Sequence, residues 1–184
     1  MFLDLKNIGP AGFQLDGKIP VPDLEGAGGG TVRVLSAHLA GDVQKAPGGF
    51  DLDAKLNADV ETECSRCLEP VRIALAADVQ LLLVPSEGGS DAEGVERGSD
   101  EEEEDEALRF DCLDGQADLV QLVSEQIYLG LPLKPVCRAG CKGLCPRCGV
   151  NRNNESCGCQ GEWVDPRLAP LQQLRDRLKR TDTD

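Results

Sequence analysis

Hydrophobic and polar residues alternate strictly along residues 50–61, and apolar residues again occupy every second position along residues 71–83. Such alternation is typical of β-strands with one buried face and one solvated face. A shorter alternating stretch comes before them, and the sequence Pro47-Gly48-Gly49 predicts a turn into the next strand. The pattern predicts an antiparallel β meander over residues 31–84, with residues 2–5 as a candidate edge strand.

The spacing changes at residues 117–130, where apolar residues recur every three or four positions. This spacing predicts a helix with one apolar face, with Asp118 as its N-cap. Asp165 followed by Pro166 predicts the start of a short C-terminal helix. The predicted fold class is α+β: an antiparallel meander packed by one helix, then a cysteine-rich segment and the short C-terminal helix.

The chain divides by composition into an α+β domain over residues 1–136 and a cysteine-rich part over residues 137–180. Within the first part, residues 85–106 are acidic and contain an unbroken run of seven acids, Asp100–Glu106. Because like charges repel and the segment lacks apolar anchors, we expect a disordered surface loop that provides solubility and spacing, with a docking role as the alternative.

No apolar run approaches the ~18 residues that a membrane-spanning helix needs. The first six residues also lack the basic and apolar regions of a signal peptide, so we expect a cytoplasmic protein. In such a reducing compartment, nine cysteines more often bind metal or perform redox chemistry than form disulfides. The single histidine, His38, excludes most catalytic triads and every multi-histidine metal site.

The net charge of −14 is unevenly distributed. Residues 87–111 hold twelve acids and two arginines, whereas residues 134–180 hold ten basic and four acidic side chains. A locally basic region of this kind is typical of surfaces that bind a phosphate backbone, although two four-thiolate zinc sites would each contribute about −2. The candidate RNA-binding residues are Arg147, Arg152, Arg175 and Arg180.

Six cysteines lie close together near the carboxyl terminus, and their spacing predicts a zinc site. Cys145 and Cys148 enclose Pro-Arg and precede a glycine, the form of a zinc knuckle. The nearest complementary pair is Cys157 and Cys159, so these four thiolates predict one tetrahedral zinc site.

Cys137 and Cys141 then remain without nearby partners, and the other pair in the chain is Cys64 and Cys67. These four residues predict a second zinc that links the tip of a β-hairpin to the cysteine-rich segment. The alternative is a single mixed site built from the hairpin pair and one later pair. Cys112 is left over and is expected to be a buried free thiol.

Catalytic zinc keeps an open position for water and usually has histidine or carboxylate ligands, whereas eight cysteines in four pairs predict closed sites. We therefore expect two structural zinc ions, no catalytic residues, no enzymatic activity and no small-molecule substrate.

The segment Cys141-Lys142-Gly143-Leu144-Cys145-Pro146-Arg147-Cys148-Gly149, with Cys157-Gly158-Cys159 after it, resembles the YceD family. Members are known as large ribosomal RNA subunit accumulation proteins of bacteria and plastids, and the resemblance covers roughly residues 30–175. It implies a non-enzymatic factor in ribosome biogenesis that supports accumulation or processing of 23S ribosomal RNA (rRNA). The implied partners are this rRNA or its precursor, or a ribosomal or assembly protein.

Two alternatives from other classes remain, a redox-regulated zinc-thiol holdase and a zinc-ribbon regulator. Thiolate pairs of the CxxC and CxC type can release metal on oxidation when they are accessible.

Overall fold

A computed structural model describes residues 1–26, 29–86, 109–159, 166–168 and 171 of the chain. The chain divides into two compact units. The first unit contains Met1–Cys64 and Glu69–Cys137, and the second contains Ser65–Leu68 and Arg138–Asp184. The hairpin turn that carries Cys67 therefore belongs to the same unit as most of the cysteine-rich segment.

The first unit consists mainly of strands, with one α-helix among the described residues. Its strands, in chain order, are β1 (Phe2–Asp4), β2 (Phe13–Lys18), β3 (Leu24–Glu25), β4 (Thr31–Ala46), β5 (Gly49–Glu63), β6 (Pro70–Ser86), β7 (Arg109–Leu113) and β8 (Gln116–Asp118). The helix α1 spans Leu119–Gly130, and a short 3-10 helix spans Leu5–Asn7. A second 3-10 helix, Pro166–Leu168, belongs to the second unit. The architecture agrees with the α+β class in its coarse form.

The predicted meander is present as β4, β5 and β6, which pair antiparallel in sequence order. The alternation along residues 50–61 has the expected consequence, because Leu52, Leu56 and Val60 of β5 are buried while the polar residues between them face solvent. The meander extends further than predicted, since β6 ends at Ser86 and takes in the first two residues of the predicted loop.

The sheet contains pairings that the sequence did not predict. β2 adds antiparallel to β4 at one edge, and β7 adds parallel to β6 at the other. β3 also pairs with β4. The predicted strand at residues 2–5 is present as β1, but it pairs with β8 in a separate two-stranded sheet and does not extend the meander.

Helix α1 confirms the predicted apolar face, with Leu119, Leu122, Val123 and Ile127 buried. The Asp118 carboxylate accepts a hydrogen bond from the Val120 N–H, which confirms it as the N-cap. Residues 117 and 118 lie in β8 instead of the helix, so the predicted start was two residues early.

Two predicted elements lie largely outside the described residues. They are the acidic segment from residue 87 onward and the C-terminal helix, of which residues 166–168 and 171 are described. No helix in the described part of the chain has both the length and the apolarity to cross a membrane.

Candidate metal centre

Eight of the nine cysteines come together in two groups of four, and within each group all four sulfur atoms lie within 4.8 Å of one another. The hairpin tetrad is Cys64, Cys67, Cys137 and Cys141, and the knuckle tetrad is Cys145, Cys148, Cys157 and Cys159. Sulfur atoms around a tetrahedral zinc lie about 3.8 Å apart, given a Zn–S distance of about 2.3 Å. Both tetrads are therefore compact enough to hold a metal ion.

This grouping follows the two-site pairing predicted from spacing and differs from the single mixed site. The identity of the metal and the role of each cysteine as a ligand remain predictions.

The two CxxC sequences form turns with the same backbone hydrogen bond. The Cys145 N–H donates to the carbonyl of Val150, five residues later, at 2.8 Å, and the Cys64 N–H donates to the carbonyl of Glu69 at the same distance. The residue after the second cysteine has a positive φ in both turns, 74° at Gly149 and 61° at Leu68. We call these the knuckle turns, Cys64–Glu69 and Cys145–Val150.

Arg66, at the tip of the first knuckle turn, packs closely against the cysteine-rich segment. Its carbonyl accepts a hydrogen bond from the Leu144 N–H at 2.9 Å, and its guanidinium donates to the carbonyl of Cys141 at 3.0 Å. A Cβ atom on Gly143 would lie 2.9 Å from the Arg66 carbonyl oxygen, and the φ of Gly143 is +70°. Glycine is therefore required at this position by both space and backbone conformation.

Two hydrogen bonds support sulfur atoms of the hairpin tetrad. The Cys137 N–H donates to Cys64 Sγ at 3.4 Å, and the Asn153 side-chain amide donates to Cys141 Sγ at 3.3 Å. Asn153 is itself held by the Lys142 N–H, which donates to its Oδ1 at 2.8 Å. Hydrogen-bond donors next to ligand sulfur atoms orient these ligands and stabilise the charge of the thiolates. Asn153 was not predicted as part of the site, because an asparagine by itself does not indicate a metal ligand.

Two thiols of the knuckle tetrad have pKa values shifted in opposite directions. Backbone N–H groups of Cys148 and Arg147 donate to the sulfur of Cys145 and lower the pKa of its thiol to about 6. A side-chain hydrogen bond with Cys148 raises the pKa of Cys159 to about 12, and the neighbouring negative sulfurs act in the same direction. A divalent cation bound by the four sulfur atoms would neutralise the thiolates, which otherwise repel one another.

The two tetrads differ in their access to solvent. In the hairpin tetrad Cys137 is exposed and the other three cysteines are buried. In the knuckle tetrad Cys148 and Cys159 are exposed, Cys157 is half-buried and Cys145 is buried. Oxidants and chelators therefore reach the knuckle tetrad more easily.

The ninth cysteine, Cys112, is a free and fully buried thiol on β7, as predicted. Its Sγ donates to the Phe110 carbonyl at 3.5 Å, and burial, together with the adjacent Asp111, raises the pKa of the thiol to about 11.

Native protein treated with iodoacetamide at pH 8 should therefore retain unmodified Cys112, because the reactive thiolate is scarce and shielded. Mass spectrometry should show full modification of the same residue after unfolding in guanidinium chloride. Rapid modification in the native state would contradict the burial of this side chain.

Of the predicted RNA-binding residues, Arg147 and Arg152 are exposed in the second unit, whereas Arg175 and Arg180 lie outside the described residues. The structure adds Arg66 and Lys142 to the exposed cations of this unit. Among the described residues, none of these four cations forms a salt bridge.

The fold and the site define a class, a strand-rich protein with two cysteine tetrads that could hold metal ions. The family model described as large ribosomal RNA subunit accumulation protein YceD matches residues 52–175, a range that contains both tetrads. This match covers more than half of the chain, and the chain belongs to the YceD family.

Of two relatives similar to the chain, the one from maize carries the family name. An uncharacterized protein of Mycobacterium tuberculosis is 34% identical over 132 residues, covering 72% of this chain and 58% of the relative. Large ribosomal RNA subunit accumulation protein YCED homolog 1, chloroplastic, of Zea mays is 28% identical over 180 residues, covering 85% of this chain and 61% of the relative. The chain thus spans about three fifths of the length of these relatives. No solved structure matches the chain.

Proposed function

We propose that this chain is a non-enzymatic factor in ribosome biogenesis, which acts in the cytoplasm and supports the accumulation or processing of 23S rRNA. The observation that carries this proposal is the family match over residues 52–175, together with the name of the maize relative. The proposed partners are the large-subunit rRNA or its precursor, with a ribosomal or assembly protein as the alternative.

Zinc in this proposal has a structural role. Each tetrad holds one ion through four thiolates and leaves no position for a reacting water, in contrast to catalytic zinc sites. The ion in the hairpin tetrad fixes the turn Ser65–Leu68 to the cysteine-rich segment, and the ion in the knuckle tetrad closes the loop from Cys145 to Cys159. The metal thereby orders the side chains around the two knuckle turns.

The charge distribution supports the second unit as the part that contacts RNA. Its described residues carry six cations and one anion, Glu155, which gives a formal balance of +5; the cations are Arg66, Arg138, Lys142, Arg147, Arg152 and Arg167. Zinc-bound thiolates reduce this excess, since each four-thiolate site contributes about −2. By contrast, the exposed face of β5 carries Asp51, Asp53 and Asp59, which repel phosphate.

Depletion of the protein in the organism that produces it tests the proposal. The ratio of large-subunit to small-subunit rRNA should fall, and the wild-type gene should restore it. A ratio that stays constant during depletion would contradict the proposal, provided that the protein itself has disappeared from immunoblots.

The exposure of Cys148 and Cys159 favours one second candidate, the redox-regulated holdase. Mild peroxide would then release metal from the knuckle tetrad and generate the ability to suppress aggregation of an unfolded client. Metal retained under peroxide, or metal released without such activity, would exclude this candidate.

A further inference from the structure

The two knuckle turns differ at the position that requires a left-handed backbone. In the second turn this position is Gly149, which adopts a φ of 74° without steric cost. In the first turn it is Leu68, with a φ of 61°. A side chain with a Cβ destabilises this conformation, so the backbone of the first turn favours glycine over leucine.

Burial gives little compensation for this strain. The Leu68 side chain is 56% exposed, and it is not part of the hydrophobic core cluster. An exposed leucine in a strained backbone conformation does not increase the stability of the fold, so stability alone does not explain its presence. The knuckle geometry accounts for the left-handed backbone, as at Gly149, but not for a leucine in place of glycine. Residues that keep such strain are concentrated at functional sites.

The surroundings of Leu68 indicate the chemistry of the ligand. Arg66 stands two residues earlier in the same turn, and Gly143 packs directly against the Arg66 backbone. Lys142 precedes Gly143, while the Arg152 N–H donates to the Gly143 carbonyl at 2.9 Å. The backbones of three exposed cations therefore lie next to Gly143. We call these residues, Arg66, Lys142 and Arg152, the Gly143 cluster.

We propose that the turn Ser65–Leu68 is a direct RNA contact, in which Leu68 lies against an unstacked base and the Gly143 cluster binds the flanking phosphates. This inference rests on the proposed function and adds residues to it. In minor-groove complexes leucine is one of the apolar side chains that wedge between bases, and cations bind the sugar–phosphate backbone without reading sequence. A single-stranded or bulged region fits best, because its bases can leave the stack.

The test uses the full, zinc-loaded chain and a tiled set of 23S rRNA fragments made by transcription in vitro. Leu68→Gly and Leu68→Asn both suit a left-handed backbone, so both variants should keep two metal ions and an unfolding midpoint no lower than that of the wild type. Each should bind the preferred fragment about tenfold more weakly, because a buried leucine contact is lost. The matched control is Leu113→Asn, which alters a similarly exposed leucine on β7 and should leave affinity unchanged.

Unchanged affinity in both Leu68 variants would overturn the inference while leaving RNA binding by other residues intact. Weaker binding accompanied by loss of metal would also overturn it, since the effect would then come from the fold. If the variants kept RNA affinity but lost a co-purifying ribosomal protein, the turn would be a protein contact instead. If the wild type bound no fragment, direct RNA contact itself would fail.

Discussion

Replacement of Cys67 by serine is expected to remove one metal ion per chain and to lower the unfolding temperature by about 10 °C or more. Cys67 is buried in the hairpin tetrad, where its sulfur lies within 4.8 Å of those of Cys64, Cys137 and Cys141. Structural zinc contributes ~10–16 kcal/mol in small peptides, as much as the entire stability of a typical domain. A hydroxyl is a poor ligand for zinc, and the three remaining thiolates would repel one another.

Elemental analysis and thermal unfolding measure the two effects, with Cys112→Ser as the matched control. Cys112 is equally buried but belongs to neither tetrad, so its replacement should leave the metal content at two ions. Two ions per chain in both variants, with equal metal affinity, would contradict the assignment of Cys67 as a ligand.

Reversal of charge at Arg147, Arg152, Arg175 and Arg180 to glutamate is expected to weaken RNA binding by at least about 100-fold near physiological salt. Each lost contact with a single-stranded phosphate lowers the slope of log affinity against log salt by about 0.7, so the loss of all four contacts should reduce the slope by about 3. Titrations at several salt concentrations measure both quantities.

A second set of reversals provides a control with the same change in net charge. Lys6, Lys18, Lys45 and Lys55 are exposed residues of the first unit, and their replacement by glutamate should have a much smaller effect on affinity. Equal weakening by the two sets would mean that net charge alone governs binding. Unchanged affinity in the arginine set would exclude these arginines as RNA contacts and favour a protein partner.

The sequence predicted the local elements well, because their signals lie within a few residues of one another. Alternation along residues 50–61 specified β5, and the apolar spacing with Asp118 specified α1. The pairings of β1 with β8 and of β7 with β6 join segments far apart in the chain, and a short strand carries no signal for its partner. β2 was missed for a related reason, since Gly17 and the exposed Phe13 weaken its pattern.

The metal centre shows the same difference between features with a local sequence signal and features that depend on the folded structure. Cysteine spacing anticipated how the eight thiols group in the structure. Thiolates bind metal in fours, Cys157 and Cys159 are the pair nearest to Cys145 and Cys148, and the other two pairs are then left for one another. The roles of Asn153, Arg66 and Leu68 depend on hydrogen bonds and backbone angles within folded turns. A single sequence does not reveal these, since the same residue types are common in ordinary surface loops.

The central claim, that this chain acts on large-subunit rRNA, is tested most directly by cross-linking the tagged protein to RNA in the cells that produce it. Sequencing of the recovered RNA should show enrichment of 23S rRNA or its precursor, with cross-links mapping to single-stranded or bulged segments. Recovery at background level, with large-subunit rRNA unaffected by depletion of the protein, would contradict the claim.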